Sequence, residues 1–218
     1  MSLPKNVNLG DDHIWCQLFD SAQRFRTRTP ALFLDRDGVI VEEVHYLHKA
    51  EDVTIINGAA DLIATANKKD IPVIIVTNQS GLARDMFGWE EFANVQARML
   101  DLLQEKNGAF IDAVYACPYH KSGISPYNHP QHEARKPNPG MLLRAMKALP
   151  LQKEGSWIIG DKAGDLKAGR NAGITGGIHV LTGHGSDEDE AEKAKAVATD
   201  GFQVHLSDSI RDGLKIIF

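Results

Sequence analysis

The chain has 218 residues and a formal net charge of −5 at pH 7. This length suits a single α/β domain with a full hydrophobic core, and the charge argues against nucleic-acid binding as the main function. Its apolar runs fall short of the roughly 20 residues that span a bilayer, and the first residues lack the apolar segment of a secretory signal. Because only Cys16 and Cys117 could form a disulfide, we expect a cytoplasmic protein without a disulfide scaffold and without membrane contact.

Apolar residues recur at helical spacing near the N-terminus. The pattern covers residues 14–25, follows two aspartates that can cap a helix, and ends before Pro30. The sequence therefore predicts an amphipathic helix within an N-terminal extension, residues 1–30, that packs on one domain spanning residues 31–218. Binding of a partner is the alternative role for this helix.

Short apolar runs alternate with helical patterns along the rest of the chain. The runs predict strands buried on both faces, at residues 31–35, 72–77, 111–116, 156–161, 177–181 and 202–206. Helices are predicted at residues 59–68, at residues 92–103 before Gly108, and after residues 138–139. This alternation predicts an α/β fold with a doubly wound parallel sheet.

Asp35 and Asp37 follow the first of these strands and stand two positions apart. On a strand end this spacing lets both carboxylates point into the crevice where parallel sheets bind ligands, and Gly38 lets the chain turn away. Two anions in one crevice suggest a bound cation, a shared proton or a phosphoryl centre. A solvated turn is the alternative, since aspartate and glycine are common in turns.

Other predicted strand ends carry groups that complement the two aspartates. Thr77 offers a hydroxyl, and the turn at residues 78–81 offers backbone N–H groups to a phosphate. Asp161 follows a later strand, and residues 135–136 place two cations before a helix start. Each group alone could be a strand end, a loop cation or a helix cap. Their joint occurrence in this order favours a site for Mg²⁺ and a phosphoryl group.

Four segments carry these groups: FLDRDG at residues 33–38, VTNQSGLAR at 76–84, RKPNPGML at 135–142 and IGDK at 159–162. Together they resemble the motifs of the haloacid dehalogenase superfamily of phosphatases. Within it they are most similar to the D-glycero-D-manno-heptose 1,7-bisphosphate 7-phosphatases, with the histidinol-phosphate phosphatases close behind. The resemblance covers about residues 31–183 and implies a Rossmann-like core. The sequence has no inserted segment large enough to form a cap domain, so loops are expected to close the site.

The resemblance also implies roles for the strand-end residues. Asp35 would attack phosphorus and form an aspartyl-phosphate, and Asp37 would act as general acid and then general base. Mg²⁺ would be held by the carboxylates of Asp35 and Asp161 and by the backbone carbonyl of Asp37. Thr77 and Lys136 would hold the oxygens of the transferred phosphoryl group.

A sugar phosphate is the substrate that the resemblance implies, with hydrolysis at C7 of the heptose bisphosphate during nucleotide-heptose biosynthesis. Substrate-binding side chains are expected on three loops: Glu43, Val44, His45, Tyr46, Asn78, Gln79, Ser80, Arg135 and Lys162. Asp165 is expected to lie behind the metal ligands. The oligomeric state stays open, and a monomer is compatible with the sequence.

Members of the heptose-bisphosphate group often carry a structural zinc loop, and this chain departs from its pattern because Tyr119 and Ala134 replace two ligands. Potential ligands remain nearby and are chemically adequate for tetrahedral zinc: Cys117, His120, His129 and His132. The alternative is a metal-free loop in which the histidines are solvated or stack on tyrosines.

Two other functions share many of these features. Histidinol-phosphate phosphatases carry nearly the same motifs. A receiver-like module would also place strand-end acids, threonine and lysine around Mg²⁺, but it needs neither a second acid at Asp37 nor the cation pair Arg135 and Lys136. Turnover of an aryl phosphate with Mg²⁺ would separate an enzyme from such a module.

Overall fold

The computed structural model describes residues 3–218 and is centred on one sheet of eight strands. The strands are β1 Val7–Asn8, β2 Trp15–Leu18, β3 Thr29–Leu34, β4 Val73–Asn78, β5 Ala113–Cys117, β6 Leu151–Gly160, β7 Gly176–Val180 and β8 Gln203–Ser207. Their spatial order is β1-β2-β5-β4-β3-β6-β7-β8. Strands β3 to β8 are parallel to one another, and β1 and β2 add an antiparallel edge beside β5.

Helices cover both faces of the sheet. They are α1 Ala59–Lys68, α2 Ser80–Ala83, α3 Trp89–Asn107, α4 Gly140–Ala148, α5 Ala163–Ala172, α6 Glu190–Lys195 and α7 Gly213–Ile216. Helices α1 and α3 pack into the core on one face, and α4, α5 and α6 pack into the core on the other. The predicted doubly wound architecture is therefore confirmed.

Strand β3 shows why the sequence favours this layered arrangement. Leu32 and Leu34 belong to the core on one face, while Ala31 and Phe33 belong to the core on the other face. A strand that is apolar at every position can bury all of these side chains only when both faces of the sheet are covered. This requirement places β3 at the centre of the sheet, between β4 and β6.

The predicted N-terminal helix over residues 14–25 is wrong. The segment forms β2, which pairs antiparallel with β5, followed by a 3-10 helix at Asp20–Arg24. Ile14 and Trp15 are both fully buried but lie in cores on opposite faces, which is the two-residue period of a strand. Pairing with β5 covers backbone groups that would otherwise form an open edge. The division into an extension of residues 1–30 and a domain of residues 31–218 stays a prediction. Strands β1 and β2 of the extension belong to the same sheet as the other six strands.

Loops make the connections after β3 and β5, and no large cap domain interrupts residues 3–218. The connection from β3 to α1 contains a 3-10 turn at Ala50–Asp52 and isolated β-bridges that pair Val41 with Asp37 and with Ile55. Within the same described part of the chain, none of the helices has both the length and the apolarity needed to cross a bilayer. The absence of a large cap, expected from the sequence, is confirmed for these residues.

The position of Trp15 in β2 gives a stability prediction. Trp15 is fully buried and contacts the rings of Trp89 and Phe92 at centroid distances of 5.4 and 5.0 Å. Trp15→Ala should lower the free energy of unfolding in urea by about 3–5 kcal/mol. Leu18→Ala is the control on the same strand, since Leu18 is 39% exposed, and should cost less than about 1 kcal/mol. Equal losses in the two variants would contradict the placement of β2.

Candidate active site

Three central strands end at one edge of the sheet and bring the predicted site residues together. Asp35 follows β3, Thr77 lies near the end of β4, and Asp161 follows β6. A cleft of about 550 Å³ opens there. Its lining includes the predicted residues Asp35, Asp37, Glu43, Val44, His45, Tyr46, Thr77, Asn78, Gln79, Ser80, Arg135, Lys136 and Lys162. Asp161 is fully buried.

Three carboxylates form a cluster beside the cleft. Oxygens of Asp35, Asp161 and Asp165 lie within 4.8 Å of one another, and within residues 3–218 this is the one such group of three or more potential metal ligands. Asp165 was expected only behind the ligands, but its carboxylate belongs to the cluster. Its Oδ2 also accepts a hydrogen bond from the backbone N–H of Lys162 at the start of α5.

Lys136 supplies the cation that this buried negative charge requires. Its Nζ lies 2.9 Å from Asp35 Oδ2 and 2.5 Å from Asp165 Oδ1. Burial alone would lower the pKa of Lys136, but the two carboxylates hold it above its ordinary value. Burial also raises the pKa of Asp35, and Lys136 opposes that rise. The ammonium group therefore stays charged between two acids.

Asp161 lies in a tight pocket made by two glycines. A Cβ at Gly38 or at Gly183 would lie 2.5 Å from Asp161 Oδ2, so both positions exclude a side chain, and both have φ above +50°. Asp161 Oδ2 accepts a hydrogen bond of 2.8 Å from the backbone N–H of His184. Burial raises the pKa of Asp161 to about 8, and Asp165 and Asp35 act in the same direction.

Asp161 Oδ1 carries the strongest indication of a cation. This oxygen is buried and finds no hydrogen-bond partner in the described part of the chain. A buried polar oxygen without a partner is costly, and Mg²⁺ prefers carboxylate oxygens as ligands. The donor set of Asp35, Asp161 and Asp165 therefore fits Mg²⁺.

Asn78 and Gln79, both predicted to bind substrate, direct their side chains at protein groups. The Asn78 amide donates to the backbone carbonyl of Lys136 at 3.0 Å and accepts from its N–H at 3.1 Å. Gln79 Nε2 donates to Asp37 Oδ2 at 2.8 Å and to Thr77 Oγ1 at 2.9 Å. Asn78 thus fixes the backbone that carries Lys136, and Gln79 links Asp37 to Thr77.

The rim of the cleft carries charges of both signs. Arg135 donates to the backbone carbonyl of Tyr119 at 2.6 Å, and the Tyr46 hydroxyl accepts from Arg84. Burial and the charge of Asp37 raise the pKa of Glu43. His184, which the sequence analysis did not single out, lines the same cleft and lies 2.8 Å from Asp187. The sequence around His184 contains no motif that would predict a place in the cleft, because the turn after β7 brings the residue there.

The four side chains of the predicted zinc set do not form a cluster of ligand atoms within 4.8 Å of one another, and zinc binding by this loop stays a prediction. Cys117 is fully buried, and burial raises the pKa of its thiol to about 11. The ring of His132 stacks on Tyr119 with centroids 4.1 Å apart, and its Nδ1 accepts from the N–H of Ala134. His129 meets the Tyr119 ring edge-on, and His120 Nδ1 accepts from Ser122. Nδ1 of His120 and Nδ1 of His132 therefore already accept hydrogen bonds from backbone N–H groups of the loop.

Comparisons with known proteins agree with this geometry. Residues 133–203 match the HAD-hydrolase-like family. The D-glycero-beta-D-manno-heptose-1,7-bisphosphate 7-phosphatase of Mesorhizobium japonicum is 48% identical over 153 residues, which cover 70% of each chain. That of Vibrio cholerae is 38% identical over 184 residues, which cover 84% of this chain and 93% of its own. The chain belongs to the family of heptose-bisphosphate phosphatases.

Among solved structures, the family is represented by a D,D-heptose 1,7-bisphosphate phosphatase from B. bronchiseptica, crystallised with magnesium and phosphate. Its sequence is 25% identical to that of this chain, and the two structures superpose with a TM-score of 0.71. The match covers 87% of this chain and 98% of that chain. The fold is therefore that of the family.

Asp161 gives a prediction about pH and metal removal. Folding raises its pKa from 3.8 to about 8, so the metal-free folded state retains a proton that the unfolded state has released. Stability of the metal-free protein should therefore fall as pH rises from about 4 to about 8 and level off above that range. Added Mg²⁺ should offset the loss most at high pH, because it binds the ionised carboxylate.

The measurement is the thermal unfolding midpoint in EDTA at several pH values. Asp161→Asn should flatten the decline with pH, while Asp208→Asn, an exposed control, should retain it. A decline that Asp161→Asn leaves unchanged would show that another group is responsible.

Proposed function

We propose that this protein is a cytoplasmic Mg²⁺-dependent phosphatase that hydrolyses the C7 phosphate of D-glycero-D-manno-heptose 1,7-bisphosphate in nucleotide-heptose biosynthesis. The observation that carries the proposal is Asp35, with its carboxylate open to the cleft and held beside Lys136 and two further carboxylates. The relatives from Mesorhizobium japonicum and Vibrio cholerae are named as phosphatases of this substrate, and the relative from B. bronchiseptica was crystallised with magnesium and phosphate.

In the first step, a carboxylate oxygen of Asp35 attacks phosphorus, and the bond from phosphorus to the sugar oxygen breaks. Asp37 donates a proton to that oxygen, so the sugar leaves as an alcohol and Asp35 carries the phosphoryl group. Thr77 and Lys136 line the cleft beside Asp35 and would hold the phosphoryl oxygens during transfer.

In the second step, water attacks phosphorus and the bond to Asp35 breaks. Asp37, now ionised, takes a proton from the attacking water, which restores both aspartates and releases inorganic phosphate. Asp37 can act in both steps because it lies in the same cleft as the nucleophile Asp35.

Mg²⁺ would be held by the carboxylates of Asp35 and Asp161 and by the backbone carbonyl of Asp37, with Asp165 within reach of the same site. When bound, the ion neutralises charge between the nucleophile and an anionic substrate. Arg135 and Lys162 lie on the cleft wall and would bind the second phosphate.

The nucleophile gives the first prediction of this proposal. Asp35→Asn should lower kcat by about four orders of magnitude or more, because an amide cannot form the acyl-phosphate bond. Steady-state hydrolysis of p-nitrophenyl phosphate measures the loss, and circular dichroism checks the fold. Asp208→Asn is the matched control on an exposed aspartate and should keep full activity. Substantial activity in purified Asp35→Asn protein would rule out this mechanism.

Substrate choice gives the second prediction. Because Arg135 and Lys162 exceed what one phosphoryl group requires, the heptose bisphosphate should give the highest kcat/KM in a panel that includes histidinol phosphate and sugar monophosphates. Arg135→Ala should reduce that preference more than it reduces cleavage of p-nitrophenyl phosphate, whereas Lys136→Ala should damage both reactions. A clear preference for histidinol phosphate would overturn the substrate and leave the mechanism standing.

A further inference from the structure

Arg36 lies between the two catalytic aspartates in sequence and is almost completely buried. Its side chain is 1% exposed, although it carries a charge. Arginine is rarely buried to this extent without a partner, because removing its charge from water is costly. Arg36 belongs to the lining of the cleft, but almost none of its side chain is exposed there, and its charge is directed at protein groups.

The partners of Arg36 converge on one carboxylate. Its Nε lies 3.2 Å from both oxygens of Asp37, and its Nη2 lies 2.9 Å from Asp37 Oδ1. Nη2 also donates to Gln79 Oε1 at 3.2 Å. The guanidinium carbon lies 5.1 Å from the centre of the Phe92 ring, a core residue that limits its movement.

Gln79 closes a ring of hydrogen bonds around the same carboxylate. While its Oε1 accepts from Arg36, its Nε2 donates to Asp37 Oδ2 at 2.8 Å. Gln79 is 5% exposed, and its Nε2 also donates to Thr77 at the end of β4. Asp37 is thus held from two sides by buried donors on two different strand ends.

We propose that Arg36 is a positioning residue that, together with Gln79, fixes the carboxylate of Asp37 in the orientation needed for proton transfer to the leaving group. This inference rests on the proposed role of Asp37 as general acid and base. Asp37 lies three residues beyond Leu34, the last residue of β3, where a short side chain could adopt several rotamers. Misplacement of a catalytic group by about 1 Å can cost about 100-fold in rate. The buried guanidinium removes that freedom.

Leaving groups of different basicity separate positioning from a general loss of structure. An alkoxide needs a proton as it leaves, whereas 2,4-dinitrophenolate does not. In Arg36→Met, kcat/KM should therefore fall by about 10- to 100-fold for glycerol phosphate and by less than about threefold for 2,4-dinitrophenyl phosphate. Arg36→Lys retains the charge but not the fork of two nitrogens, and should recover part of the loss.

Arg24 offers a matched control, because it also pairs with a buried aspartate. Its Nη1 lies 2.5 Å from Asp112, which is fully buried and does not line the cleft. Arg24→Met should lower stability without changing the ratio of the two kcat/KM values. In an Asp37→Asn background, Arg36→Met should add less than about threefold to the loss, because the group that it positions has gone.

The outcomes are distinct. If the wild type hydrolyses both esters and Arg36→Met lowers the two kcat/KM values by the same factor, the positioning role is overturned while the proposed phosphatase function stands. If the wild type hydrolyses neither ester, the proposed function fails, and this inference fails with it. Should Arg36→Met not fold, Gln79→Met removes the other donor to Asp37 and must show the same dependence on the leaving group; an equal loss for both esters in that variant overturns the inference.

Discussion

The position of Lys136 between Asp35 and Asp165 is the constraint on which the rest of the site depends. These three charges lie out of water, and removing the ammonium would leave acids packed against one another at a cost of several kcal/mol. The fold holds Lys136 by its backbone, which Asn78 clamps from the end of β4. The order of β4, β3 and β6 in the sheet therefore sets the electrostatics of the site.

A second buried cation divides the site into two parts. Lys136 compensates the charge of the nucleophile Asp35, and Arg36 compensates the charge of Asp37, so each of these two aspartates has its own cationic partner. Such buried pairs contribute little net stability, because desolvation offsets attraction. Their value lies in fixed orientation, and the apolar cores on both faces of the sheet supply the stability that this arrangement requires.

The sequence was sufficient for strands β3 to β8 and for the residues at their ends, because short apolar runs and turn residues carry local signals. It was insufficient for β2, since four residues cannot separate a period of two from a period of 3.6, and pairing with β5 decided the outcome. Asp165 was expected behind the metal ligands rather than among them, and Arg36 received no role, for a different reason. The position of Asp165 depends on its distance to Lys136, and that of Arg36 on its hydrogen bond to Gln79 after β4, and no local pattern encodes either contact.

The central claim is that Asp35 accepts the phosphoryl group beside a metal held by Asp161. A crystal structure of the protein soaked with Mg²⁺ and beryllium fluoride tests it most directly, because this complex mimics an aspartyl-phosphate. The account predicts beryllium bonded to an oxygen of Asp35, fluorine atoms contacting Thr77 and Lys136, and Mg²⁺ coordinated by the carboxylates of Asp35 and Asp161. Beryllium bonded to another carboxylate, or Mg²⁺ bound away from Asp161, would contradict it.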